Sequence, residues 1–74
     1  MNYEEAFENG QLFALCLNTV KDDEGIYCVK GRKYEVIEYD TDDITGEYYI
    51  IETEMEDDSL KFSNGDVDFK IIIK

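Results

Sequence analysis

The sequence predicts a mainly β fold, in which one short helix precedes a small barrel of about five short strands. Three observations predict it. Apolar and charged residues alternate through Lys33 to Tyr39 and again through Val67 to Ile73, turn signals separate such segments at close intervals, and proline is absent. Since a strongly bent barrel leaves few unpaired sheet edges, we expect a single domain over 1–74, with the helix in 1–10 and the barrel in 11–74.

Composition indicates a folded acidic domain with a basic partner. Hydrophobic residues make up 43% of the 74 residues, which is enough for a packed interior, and the net charge is −12. Lys30, Arg32 and Lys33 form the one basic cluster, inside a repulsive overall field. Because phosphate binding depends on lysine and arginine, we expect no direct nucleic-acid binding. A protein partner with a basic surface is predicted instead.

Segments for export or membrane insertion are not indicated. The start, MNYEEAFENG, lacks a positive region and a long apolar stretch, so we expect a cytoplasmic protein that does not contact a membrane. Cys16 and Cys28 are therefore expected to be reduced thiols packed as small hydrophobic residues. Oligomeric state does not follow from these patterns.

The first twenty residues predict a short helix followed by a buried strand. Asn2 and Glu5 suit the N-cap and N3 positions of a capping box, and Gly10 suits a helix end. In Gln11–Val20 the residues at odd and at even positions are both mainly apolar, which is typical of a strand covered on both faces. Such a strand could anchor the helix. A continuous helix over Tyr3–Leu17 is the alternative.

The rest of the chain predicts strands joined by tight turns. Lys21–Gly25 is expected to be a solvated turn, and the acidic stretch between Tyr39 and Tyr48 the connection of a central hairpin. Asn64-Gly65 is a strong turn signal before the last strand. The expected strands here are Ile26–Val29, Lys33–Tyr39, Tyr48–Ile51, Leu60–Phe62 and Asp68–Ile73.

This succession resembles the small SH3-like barrels common in bacteriophages and Gram-positive bacteria, in which an apolar first strand precedes a G-x-x-Y-x-V-I strand and a terminal F-x-I-I. The resemblance covers roughly residues 12–73 and implies a five-stranded SH3-like barrel in the cytoplasm of a bacterial host. That group shares no common activity. This chain lacks the proline often found before the last strand and carries an additional N-terminal segment. The matching positions are Gly31, Tyr34, Val36, Ile37, Phe69, Ile71 and Ile72.

Catalytic and cofactor signatures are missing from the sequence. Without histidine, neither Ser-His-Asp nor Cys-His arrangements can form, and no phosphate-binding glycine loop is present. We therefore expect no enzyme activity, no cofactor and no metal site. Asp40–Glu52 resembles a calcium-binding loop, but Thr41 would occupy the obligatory first position and the flanks favour strands. A solvated hairpin connection is the preferred interpretation.

Regularly spaced carboxylates are the most informative feature. In a strand, Glu52, Glu54 and Glu56 would lie on one face about 6.6 Å apart, a spacing compatible with that of DNA phosphates. We therefore hypothesise a binding protein that inhibits a basic host protein, for example a DNA-binding protein. A solvated face, or a structural or peptide-binding SH3-like module, is the alternative. The predicted contact residues are Glu38, Asp40, Asp42, Asp43, Glu52, Glu54, Glu56, Asp57 and Asp58, with Tyr39 and Tyr48 as aromatic anchors.

Overall fold

Seven strands follow one short helix in the computed structural model, which describes residues 2–44, 46–55 and 57–74. The elements are α1 Tyr3–Glu8, β1 Leu12–Cys16, β2 Val20–Asp22, β3 Gly25–Cys28, β4 Lys33–Asp42, β5 Gly46–Glu52, β6 Ser59–Ser63 and β7 Phe69–Ile73. Five strands form an antiparallel sheet in the order β6-β5-β4-β1-β7, and β2 pairs with β3 as a separate hairpin. The mainly β class is confirmed. Within the described residues, strand pairing leaves β6 and β7 as edges, so the closed barrel is not confirmed.

Helix α1 begins and ends where the sequence predicts. The Asn2 side chain accepts a hydrogen bond from the Glu5 backbone N–H at 2.8 Å, which satisfies one of the free donors of the first turn. Gly10 takes the left-handed conformation (φ 70°), and the Gln11 N–H donates to the Ala6 carbonyl at 2.7 Å. This hydrogen-bonded glycine end terminates the helix. The alternative of a continuous helix to Leu17 is wrong.

Strand β1 is shorter than predicted, because the chain turns after Cys16. The Cys16 thiol donates to the Asn18 carbonyl at 3.0 Å, and the Leu17 N–H donates to the Asp68 carbonyl at 2.8 Å. Strand β2 then begins at Val20 and occupies part of the predicted turn. The predicted burial on both faces is half correct. Leu12, Ala14 and Cys16 are buried, whereas the alternate residues Phe13 and Leu15 are only half-buried.

Strand β4 contains a bulge that reverses which residues face the core. Tyr34 and Val36 are buried as predicted, and Ile37 between the two halves of the strand is exposed. The pairing with β5 shifts between Val36 and Glu38. A bulge adds one residue to one strand, so the alternation of faces moves by one position. After it, Tyr39 pairs with the fully buried Tyr49.

Stacked aromatic rings form the centre of the core. Tyr39 stacks on Tyr49 and Tyr49 on Phe62, both with ring centroids 5.3 Å apart, and Phe62 stacks on Phe69 at 4.3 Å. Tyr3 of α1 meets Tyr39 and Tyr49 edge-on at 6.4 Å. Such aromatic pairs stabilise a fold beyond their buried area. The ring contacts that anchor α1 are therefore made with β4 and β5, where the sequence predicted β1.

The two cysteines lie in the core as free, buried thiols. Burial raises the pKa of Cys28 to about 12. Both thiols therefore pack as small hydrophobic side chains, as predicted.

In the described ranges of the chain, no helix is both long enough and apolar enough to span a membrane.

Candidate functional site

Three carboxylates line one face of the second half of β4. Glu38, Asp40 and Asp42 occupy alternate positions, and their partners on β5 are Ile50, Tyr48 and Gly46. Alternate residues of a strand share a face at about 6.6 Å. This part of the predicted carboxylate row is formed. We call Glu38, Asp40, Asp42 and Tyr48 the acidic face.

Tyr48 lies beside this row and opposite Asp40. The tyrosine is half-buried, and the Lys61 ammonium lies 4.3 Å from its ring centroid. Partial burial, and then the charges of Asp40, Glu38 and Asp42, raise the pKa of Tyr48. An amphipathic ring next to charges at the surface suits a binding patch. Tyr48 therefore lies at the surface beside the carboxylates, with the Lys61 ammonium over its ring.

The turn after β4 continues the acidic surface. The Asp42 side chain accepts from the Ile44 N–H at 2.7 Å, and Asp43 beside it is exposed. Strands flank this turn on both sides, where a calcium-binding EF-hand loop requires helices. Thr45, the fifth position of that loop, lies outside the described residues. Among residues 2–44, 46–55 and 57–74, no three carboxylates or thiols converge as a metal site would require.

The predicted row of Glu52, Glu54 and Glu56 is not a continuous strand, because β5 ends at Glu52. Glu54 instead accepts two hydrogen bonds from Arg32 Nη1, at 2.9 and 3.0 Å, and one from the Tyr34 hydroxyl at 2.6 Å. The tyrosine hydrogen bond, and then Arg32, lower the pKa of Glu54. This carboxylate is therefore neutralised within the protein. Glu56 lies outside the described residues.

Three other predicted acids meet at the turn before β6. Glu52, Asp57 and Asp58 line a cavity of about 240 Å³ together with Thr53 and Met55. Asp57 has a left-handed backbone (φ 62°), which aspartate adopts more readily than most side chains. Glu52 lies at the end of β5, and Asp57 and Asp58 lie in the turn that follows, so these acids are not on the strand that carries the β4 row.

Tyr39 does not lie on the acidic face beside Tyr48 but is half-buried on the other side of β4. Its ring stacks on Tyr49, and its hydroxyl donates to Glu47 Oε1 at 2.8 Å. The bulge at residues 37–38 causes this difference, because it moves Tyr39 to the core face, which Tyr34 and Val36 occupy earlier in the strand. A strict two-residue alternation predicts the same face for Tyr39 as for Ile37. The sequence contains no local signal that locates a bulge.

Two grooves beside α1 are lined by Glu4, Glu8 and Glu47, which are not among the contact residues predicted from the sequence. The first, here called the tyrosine groove, has a volume of about 500 Å³ and is lined by Asn2, Tyr3, Glu4, Tyr39 and Glu47. The second, of about 340 Å³, lies between α1 and β4, and its lining includes Glu4, Glu8, Tyr39 and Asp40. Asp40 thereby links the acidic face to the grooves. The spacing of Glu4 and Glu8 on one helix face was an available signal.

Glu47 is held between two tyrosine hydroxyls at the tyrosine groove. Tyr39 donates to its Oε1 at 2.8 Å, and the hydroxyl of Tyr49 lies 3.4 Å from Oε2. Burial, and then the hydrogen bond to Glu47, raise the pKa of Tyr39 to about 12, so the hydroxyl remains a donor at neutral pH. Among the described residues, no lysine or arginine forms an ion pair with Glu4 or Glu47. The groove therefore combines aromatic walls with carboxylates that no lysine or arginine of the described residues neutralises.

No protein-family model, no curated protein and no solved structure matches this chain. The residues, distances and charges of the site are therefore the basis on which function is inferred.

Proposed function

We propose that this protein is a small acidic binding protein whose acidic face engages the basic surface of a protein partner. The observation that carries the proposal is the row of Glu38, Asp40 and Asp42 on one face of β4, with Tyr48 beside it. Strand pairing holds these carboxylates at regular intervals, so the partner meets charges that are already ordered. Less backbone freedom is then lost on binding than a disordered acidic segment would lose.

The charge of the whole chain supports the same function. A net charge of −12 attracts a basic partner over several ångströms and accelerates encounter, and this attraction weakens as salt increases. Tyr48 supplies an aromatic surface that water leaves when the complex forms. Electrostatics therefore governs the association rate, and the aromatic contact slows dissociation.

An SH3-like barrel is the architecture we propose for this function. The edge strands β6 and β7 are joined through the stacked rings of Phe62 and Phe69, whose centroids are 4.3 Å apart. Side-chain stacking between the two edges supports a sheet bent toward closure. Such bending presents the outer surface of β4 and β5 as a convex face.

Inhibition of a basic host protein by a phage-type DNA mimic is the specific form of the proposal. Carboxylates about 6.6 Å apart on one strand suit a groove that otherwise holds DNA phosphates. Duplex DNA should then displace the protein from its partner. The second candidate, a peptide-binding SH3-like module, is favoured by the tyrosine groove, and there a basic or proline-rich peptide should compete while DNA should not.

A capture experiment with matched charge variants tests the proposal. Glu38→Gln/Asp40→Asn removes two charges from the acidic face, and Asp23→Asn/Glu24→Gln removes two from the exposed β2–β3 turn. The amide at Asp40 retains an oxygen for the Thr41 N–H, which donates to it at 2.8 Å. Partners captured from bacterial lysate at low salt and lost at high salt are purified, and their affinities for the variants are measured.

We expect the first variant to weaken binding about three- to tenfold and the turn variant to leave it nearly unchanged. Equal losses for both variants would show that only net charge matters. Binding that persists at high salt and in the first variant would contradict the proposal.

A further inference from the structure

We propose that the tyrosine groove receives one arginine side chain of the basic partner. The guanidinium would lie against the rings of Tyr3 and Tyr39 and face the carboxylates of Glu4 and Glu47. This inference rests on the proposed function and adds a specific contact to it.

The shape of the groove suits a flat cation on an apolar stem. Tyr3 and Tyr39 both line the groove, where their rings meet edge to face at an interplanar angle of 81° with centroids 6.4 Å apart. A cation within about 6 Å of an aromatic ring is attracted by the electron density of the ring face. The volume of about 500 Å³ accommodates a guanidinium and its methylene chain.

The negative charges of the groove favour a positively charged occupant. Glu47 is half-buried and bonded to tyrosine hydroxyls, and Glu4 is exposed on the facing helix. In the part of the chain that the structure describes, neither has a lysine or arginine partner. An arriving cation would therefore complete two ion pairs at once.

Arginine suits these walls better than lysine does. Its planar guanidinium stacks on aromatic rings and offers five N–H donors, whereas the ammonium of lysine is compact and more strongly hydrated. Two carboxylates beside two aromatic rings use both properties. Arginine is thus the side chain to which we commit.

Titration of the full chain with a single-residue probe tests the groove directly. The probe is Nα-acetyl-arginine amide, and its uncharged control is Nα-acetyl-citrulline amide, which has nearly the same shape. We expect saturable backbone NMR shifts at Tyr3, Tyr39 and Glu47 with the arginine probe alone. Similar shifts with both probes, or shifts spread equally over the Asp22–Glu24 turn, would overturn the inference.

Variants locate the contact. Glu47→Gln retains an oxygen for the Tyr39 hydroxyl but removes the charge, and we expect the arginine probe to bind about tenfold more weakly. Glu4→Gln changes an exposed side chain outside the core and should weaken binding about two- to threefold. Asp23→Asn is the control and should leave the titration unchanged. Unchanged binding in Glu4→Gln and in a folded Glu47→Gln would refute the groove.

The two proposals fail in different ways. If the groove variants bind the arginine probe normally while Glu38→Gln/Asp40→Asn still weakens the captured partner, the groove inference is wrong and the acidic face stands. If the probe binds in the groove but capture is insensitive to salt and to the face variant, the proposed function is wrong.

Discussion

Two tyrosine–carboxylate clusters in this protein use the same chemical groups in different electrostatic settings. At the first, Glu54 accepts from the Tyr34 hydroxyl at 2.6 Å and forms an ion pair with Arg32 at 2.9 Å. At the second, Glu47 accepts from the Tyr39 hydroxyl at 2.8 Å, and in the described chain no basic side chain pairs with it. The difference is one guanidinium.

The Arg32 guanidinium gives Glu54 a structural role, whereas Glu47 without such a partner is suited to a binding role. Arg32 satisfies Glu54 within the chain and ties the segment before β4 to the segment after β5. Glu47 lies at a groove where a guanidinium from another molecule could take the equivalent place. A carboxylate with an internal cation contributes to folding, whereas one without it can contribute to recognition.

The largest effect is expected where the Glu47 cluster meets the core. Tyr49 is fully buried, stacks on Tyr39 and Phe62, and approaches Glu47, so Tyr49→Ala should reduce the free energy of unfolding by about 3–5 kcal/mol. Chemical denaturation measures this reduction in the free energy of unfolding. Tyr48→Ala, the adjacent residue on the outer face, is the control and should cost much less. Equal losses would contradict the placement of Tyr49 in the core and Tyr48 at the surface.

An intermediate effect separates the two tyrosine hydroxyls. The Tyr34 hydroxyl accepts from the Val29 N–H at 2.7 Å and donates to Glu54, so Tyr34→Phe removes the acceptor of the Val29 N–H and one of the donors to Glu54, and should cost about 1–3 kcal/mol. Tyr39→Phe removes one donor from a carboxylate that borders an open groove, and should cost about 1 kcal/mol or less. Both are measured by chemical denaturation. A greater loss in Tyr39→Phe would reverse the assignment of structural and binding roles.

The smallest effect is a dependence of stability on acid pH. Since the folded-state pKa of Glu54 is lowered by Tyr34 and Arg32, its stabilising contribution is present above its unfolded pKa, near 4.5, and is lost as the pH falls through the folded value. Denaturant midpoints should therefore fall less steeply below that pH in Glu54→Gln than in the unmodified chain. Identical slopes would show that Glu54 does not couple folding to protonation.

Much of the fold was predictable because its determinants are local. The Asn2 cap, the Gly10 stop and the buried positions Tyr34 and Val36 each follow from a few neighbouring residues. The β4 part of the carboxylate row was predictable for the same reason. The arrangement of the acids after Glu52 was not predictable, because Glu54 pairs with Arg32, which is 22 residues away from it in the sequence.

The sequence by itself determined the β class, the short capped helix and the strongly negative surface, since alternation, capping and composition act over a few residues or over the whole chain at once. Only the tertiary structure decided which carboxylates are neutralised and which tyrosines face the core. Those outcomes depend on the ion pair of Arg32 with Glu54, on a bulge in β4 and on the packing of α1 against Tyr39, and these contacts join residues that are distant in the chain.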